Sequence, residues 1–202
     1  NQGNGVNISG SGSNLIKGTV IRANKIGVNR TGSGLLANNG AGIYVSSANI
    51  TTIGGDTTGD RNIISGNGTS NIEIRGTTTT IKNNYIGTNA DGNAKVTGAT
   101  TLTGIKVYSD TGAQLWTSIR DNVISGNSNY GVEIVNCKDN TLLGNKIGVD
   151  KDGTVSISNG SGIILNSGSQ NNTIGGAGSG EYNIISGNTQ CGIIVDGVGS
   201  DS

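Results

Sequence analysis

The strongest constraint on this chain is that it repeats itself. Asn-Ile-Ile-Ser-Gly-Asn at 62–67 returns as Asn-Val-Ile-Ser-Gly-Asn at 122–127 and again as Asn-Ile-Ile-Ser-Gly-Asn at 183–188, spacings of 60 and 61 residues. Interleaved at the same period are Asn24-Lys25-Ile26-Gly27, Asn84-Tyr85-Ile86-Gly87 and Asn145-Lys146-Ile147-Gly148. Both sets share the form Asn-x-Ile-(Gly/Ser). The unit is therefore half the long period, about 30 residues, in two alternating forms.

A third family of segments keeps the same count. Gly-Val-Asn-Ile at 5, Gly-Ile-Tyr-Val at 42, Asn-Ile-Glu-Ile at 71, Gly-Ile-Lys-Val at 104, Gly-Val-Glu-Ile at 131, Gly-Ile-Ile-Leu at 162 and Gly-Ile-Ile-Val at 192 open successive turns. One more short apolar run lies in each turn, ending at Ile16, Ile53, Ile81, Ile119, Leu143 and Ile174. Each turn thus holds three strands and three corners. A strand of four or five residues with one apolar stripe cannot bury itself, but repeated strands can pair with their counterparts one turn on. Alternation in the first strand turns Val6 and Ile8, Ile43 and Val45, Ile72 and Ile74, and their successors to one side, the interior. The expected fold is all-β: a right-handed parallel β-helix of about seven rungs, the hand following from the strong preference of parallel crossovers. It is read as a single domain over 1–202, six complete turns and a partial seventh.

Composition supports this reading. Thirty-seven residues are Gly and none is Pro, His, Met or Phe, so there are tight turns and small apolar side chains but no material for a broad core. Thirteen basic residues balance 13 acidic ones, dispersed along the chain. No electrostatic footprint for nucleic acid results. No apolar run approaches the ~20 residues of a membrane-spanning helix, so no membrane insertion is expected. The absence of His removes a His-dependent triad and the usual zinc sites. No cofactor or metal is expected. Cys137 and Cys191 fall at opposite ends of a strand in the repeat and are expected to be free thiols.

The Asn-x-Ile strand supplies one Asn per turn at 24, 62, 84, 122, 145 and 183, separated alternately by 38 and by 22 or 23 residues. A second column is read five residues on, at Asn29, Asn67, Asn89, Asn127, Asp150 and Asn188. Carboxamides stacked at the ~4.8 Å strand spacing can bond to one another and to corner carbonyls, so both columns are expected to form ladders. The extra length of the longer turns sits in 28–41, 88–103 and 149–161, each with a turn signal such as Ala90-Asp91-Gly92, and is expected to form hairpin-like arms.

Asn-x-Ile-Ser-Gly-Asn alternating with Asn-x-Ile-Gly-Thr/Val-Asn/Asp-x-x-Gly, together with Asn-Asn-Thr-Ile-Gly-Gly at 171–176, resembles the right-handed β-helix repeats of large bacterial and archaeal surface proteins, within the pectin-lyase-like superfamily. The resemblance covers nearly the whole chain. It implies the fold and an extracellular or cell-surface setting. It says little about activity, since that superfamily holds lyases, hydrolases, tailspikes, adhesins and inert stalks.

Enzymes of this architecture, as the resemblance implies, work on the outer face of the first strand, with clustered carboxylates or Asp with Arg and Lys. Here that face reads Asn7, Tyr44, Glu73, Lys106, Glu133, Ile164, Ile194 in one column and Ser9, Ser46, Arg75, Tyr108, Val135, Asn166, Asp196 in the next. Glu73 and Glu133 would stand two rungs apart, ~9.6 Å, near the upper limit for an inverting carboxyl pair. Lys106 between them would keep both ionised, so a Glu-Lys-Glu ladder of ion pairs is the preferred reading. Asp150 with Asp152, and Asp56 with Asp60, match fragments of calcium loops but lack the ligand count. Tyr44, Tyr108 and Trp116 are candidate glycan contacts. A flat ice-binding Thr array is interrupted at Trp116 and Leu142 in this reading.

No capping segment is read at either end and no initiator Met opens the chain, which is taken as a processed or excised piece or as a subunit stacking end to end. A non-catalytic structural or adhesive β-solenoid of a surface filament or stalk is the expectation. The alternative is a carbohydrate-active β-helix, a lyase, hydrolase or glycan-binding module, using Glu73, Lys106 and Glu133.

Overall fold

The computed structural model describes residues 1–10, 15–111 and 116–197, and it is a parallel β-helix. Its first sheet stacks seven strands in sequence order: Val6–Ser9, Ile43–Ser46, Ser70–Arg75, Thr103–Tyr108, Tyr130–Val135, Ser161–Asn166 and Ile193–Val195. The second sheet stacks six: Val20–Ile21, Thr51–Gly54, Thr79–Lys82, Ser118–Arg120, Thr141–Leu143 and Thr173–Ile174. The third, also of six, is built from the Asn-x-Ile segments, from Lys25–Ile26 to Ile184–Ile185. Every pairing between these strands is parallel. Such short strands hold because each is paired to the next rung on its edge and buried on its inner side.

All three sheets turn their alternate side chains into one shared core, a file of Ile, Val and Leu running the length of the molecule. Ile43, Ile53, Ile64, Ile72, Ile81, Ile86, Ile105, Ile119 and Ile124 are wholly enclosed there. The β-branched side chains suit a pleated surface and stack on their own kind in successive rungs. Register corrects two sequence assignments. In the second sheet Ile21, not Ile16, is the partner of Ile53, and Leu142, not Leu143, is the partner of Ile119. Ile16 lies instead in a small side sheet against Ala48. Chain length between corners varies, so counting from the end of an apolar run misplaces the inward residue by up to one strand.

Most corners among the described residues are turned by residues in the left-handed region. After the third sheet the turning residue is always Gly, at 27, 66, 87, 126, 148 and 187, with φ between 70° and 91°. At Gly27 a Cβ would stand 2.1 Å from the carbonyl oxygen of Ser65 in the rung above, so stacking of corner on corner excludes any side chain. Before the ladder Asn of the third strand, the same conformation is taken by Ala23, Asn83, Asp121 and Gly144.

The alternation of long and short turns has a geometric cause. Each arm is a tight hairpin closed by one antiparallel bridge, Val28 with Leu35, Thr88 with Lys95 or Val149 with Ser156. An arm leaves one rung and folds over the short corner of the next. Side chains at its base meet that corner: Leu35 at Gly66, Lys95 at Gly126 and Ser156 at Gly187. A two-legged hairpin is about two strand spacings tall, ~9.6 Å, so only every second rung has room for one. Successive arms then touch directly, with the Ala90 amide donating to the Gly32 carbonyl at 3.0 Å and the Lys151 amide to Gly92 at 2.8 Å. A second apolar cluster, Val28, Ile63, Tyr85, Val96, Ala99 and Val123, seals the arms to the outer side of the third sheet.

Candidate functional site

Most of the polar chemistry of the chain is spent on stacking. In the third-strand ladder each Asn donates from its backbone N–H and its Nδ2 to the Oδ1 of the next: Asn24 to Asn62 at 2.9 and 3.1 Å, Asn84 to Asn122 at 2.9 and 3.1 Å, and onward through Asn145 to Asn183. The remaining Nδ2 proton goes to a carbonyl of the previous rung, as from Asn62 to Ile21 and from Asn122 to Ile81. Asn62, Asn84, Asn122 and Asn145 are essentially inaccessible to solvent. Their carboxamides replace water at corners whose backbone groups would otherwise be orphaned.

The second ladder differs from the column read in the sequence. It runs Asn1, Asn38, Asn67, Asn71, Asn127, Asn159 and Asn188. Asn29, Asn89 and Asp150 are not in it. They sit at the mouths of the three arms, where the Oδ1 of Asn29 accepts from the amides of 32–34, that of Asn89 from 93 and 94, and that of Asp150 from 154 and 155. The arm displaces the corner, so the ladder member lies beyond the hairpin, at Asn38 and Asn159. The arm of 88–103 supplies no Asn to the column, and Asn71 of the neighbouring turn bridges that gap. A third, shorter ladder missed by sequence reasoning joins Thr117, Asn140 and Asn172. All three ladders point their donors toward the later rung, an arrangement in which successive amide dipoles reinforce one another.

On the outer face of the first sheet the register brings Tyr44, Glu73, Lys106 and Glu133 into one file. Arg75 and Tyr108 are partners in the adjacent file. The expected symmetric Glu-Lys-Glu ladder is only half formed. Lys106 Nζ stands 3.6 Å from Glu133 Oε2, whereas among the described residues no ion pair joins it to Glu73. Glu73 accepts instead from Ser70 Oγ at 3.2 Å. Lys106 leans toward the Tyr108 ring, 5.6 Å from its centre, which draws the ammonium away from Glu73. Burial first, then hydrogen bonding to Tyr44 and the nearby Glu73 carboxylate, push the Tyr108 phenol far above its ordinary value. Burial also acts upward on Tyr44, but hydrogen bonds with Arg75, Ser46 and Tyr108 together outweigh it and leave that phenol below its usual range. Arg75 is held by Asp110, with Nε 2.9 Å from Oδ2. Beside the file of Glu73, Lys106 and Glu133 lies an open cleft of about 280 Å³, lined by these three with Leu102 and Asn129.

The candidate calcium carboxylates are otherwise engaged: Asp56 with Lys82 at 2.6 Å, Asp152 with Lys151 at 2.6 Å, and Asp60 with the Thr57 hydroxyl and Arg22. Among the described residues no three His, Cys, Asp or Glu side chains converge as metal ligands would. Cys137 is buried and its thiol is pushed up to about 12 by desolvation, while Cys191 is exposed, and neither forms a disulfide. Tyr44 and Tyr108 meet on the first sheet. Trp116 does not join them, since it opens the Ser118–Arg120 strand of the second sheet, 62% exposed. Compared with protein-family models, with curated proteins and with solved structures, the chain gives no match.

Proposed function

We propose that this chain is a non-catalytic structural or adhesive β-solenoid of an extracellular or cell-surface assembly, akin to the surface proteins of the pectin-lyase-like superfamily. The observation that carries the reading is the fate of its polar residues. Asparagines fill three internal ladders, and among the described residues six ion pairs tie twelve charged side chains to neighbours on the surface. A catalytic centre needs acid and base groups held free for substrate, whereas the central carboxylate and ammonium of the first-sheet file, Glu133 and Lys106, engage each other. End-to-end continuation is part of the proposal. The inward side chains Ile193 and Val195 of the last described strand are 45% and 74% exposed, whereas their register partners Ile163 and Leu165 are buried. A neighbouring rung, from a second copy or from more of the same solenoid, would cover them. Negative-stain microscopy of the purified chain tests this. Fibres of constant width support it, and particles that stay monomeric at every concentration remove the end-to-end element.

One observation favours a second reading, a carbohydrate-active β-helix. Glu73 and Glu133 line the same open cleft with Lys106 between them. Turnover of an acidic polysaccharide that disappears in Glu133→Gln would establish it, and absence of turnover on a panel of such polymers would dismiss it.

A further inference from the structure

The outer side of the second sheet carries a feature that neither the ladders nor the first-sheet cleft explains. Register places Thr52, Thr80, Ser118, Thr141 and Thr173 directly above one another in five consecutive rungs. Trp116 and Leu142, which seemed to interrupt such an array, are not in the column: Leu142 points inward and Trp116 stands beside the column. The hydroxyls repeat at the ~4.8 Å strand spacing, a straight rail of about 19 Å. All five residues are at least partly exposed, and among the described residues none of these hydroxyls makes a side-chain hydrogen bond to the protein.

Trp116, the only Trp of the chain, projects next to the rail two residues before Ser118. Large exposed aromatics are uncommon on free surfaces and concentrate where something else docks. On one flank the charges are paired, Lys82 with Asp56 and Arg120 with Asp121; on the other stands Asp139, two residues before Thr141, a carboxylate that disfavours an acidic polymer. We propose that this face binds a neutral, β-linked polysaccharide lying along the helix axis, with sugar hydroxyls on the Thr/Ser rail and one ring stacked on Trp116. A single rail suits a single polymer chain. A lattice such as ice would need a second coplanar column, and the positions two residues before the rail hold Ile50, Thr78, Trp116, Asp139 and Asn171, while the file on the other side holds Lys82, Arg120 and Leu143.

This inference rests on the adhesive reading and names what is gripped. Because Trp116 is the sole Trp, its emission reports from the site itself. Titration with cellohexaose, xylohexaose and chitohexaose is expected to give a saturable change with at least one of them. In the double variant Thr80→Val/Thr141→Val, which keeps the β-branched shape and is checked for an unchanged melting transition, affinity should fall at least tenfold. Glu133→Gln should bind as the parent does. Binding lost in Glu133→Gln but kept in the Val variant would overturn this site and leave the adhesive reading standing. No response to any of the three sugars, or thermal hysteresis of ice growth in its place, would overturn the assignment. Failure to retain insoluble neutral or acidic polysaccharides of any kind would remove the adhesive reading as well.

Discussion

Ile50 holds a backbone conformation that β-branched residues avoid, φ 56°, with its side chain 64% exposed. It therefore gains little from burial while bearing left-handed strain of about 1–2 kcal/mol. At the same corner in later rungs Asp139 and Asn171 take φ values of 61° and 54°. Those types tolerate the conformation. Ile50→Asn is accordingly expected to raise stability by about 1 kcal/mol, read from the denaturation midpoint; a lower midpoint would mean that the isoleucine has a partner there. Asp150 illustrates a different residue-level effect. The backbone amides of Val155 and Thr154 hold its carboxyl below the usual carboxylate range. A group whose folded value is depressed contributes stability above its unfolded value near ~3.9 and loses it as pH falls through the folded value. The third arm should thus loosen in strong acid while the first two, held by Asn29 and Asn89, do not. Amide shifts of Thr154 and Val155 followed from neutral to acid pH would show it, and Asp150→Asn should abolish the transition without unfolding the arm.

At the scale of elements, the corner is the part that tolerates least change. Gly87 has φ 91°, and a Cβ there would lie 2.2 Å from the Ser125 carbonyl oxygen. Gly87→Ala is expected to cost well over about 1 kcal/mol, since both backbone strain and rung separation are imposed. A variant as stable as the parent would show that the rungs are not in contact at that corner. Strands and the first ladder were legible in the sequence because both follow the fixed Asn-x-Ile and Gly-Ile-x-Val phases, which the pleat enforces. The second ladder was not, because an arm inserts between the Asn that opens it and the Asn that rejoins the corner. Counting back from the next first strand would have found it: Asn38, Asn127 and Asn188 each stand four residues before Gly42, Gly131 and Gly192. The hydroxyl rail was half visible for a related reason. Thr51 and Thr52 face opposite sides, and only the pairing of Thr80 with Ser118 tells which Thr belongs to the outer file. The partial Glu-Lys-Glu pairing could not be read at all, because the position of Lys106 depends on a side-chain contact with Tyr108.

The whole molecule is quasi-one-dimensional: each rung meets only its neighbours, and arms lengthen that reach to two rungs. It carries no net charge, and under the proposed structural reading its stacked polar groups serve persistence rather than a change of shape. The account depends on corner carboxamides being consumed by stacking, and their exchange with solvent measures that directly. In protein labelled with nitrogen-15, the Nδ2 protons of Asn62, Asn84, Asn122 and Asn145 are predicted to exchange as slowly as the backbone amides of the central strands, while those of the exposed Asn93 exchange at the rate of a free side chain. Ladder carboxamides exchanging as fast as Asn93 would contradict the account.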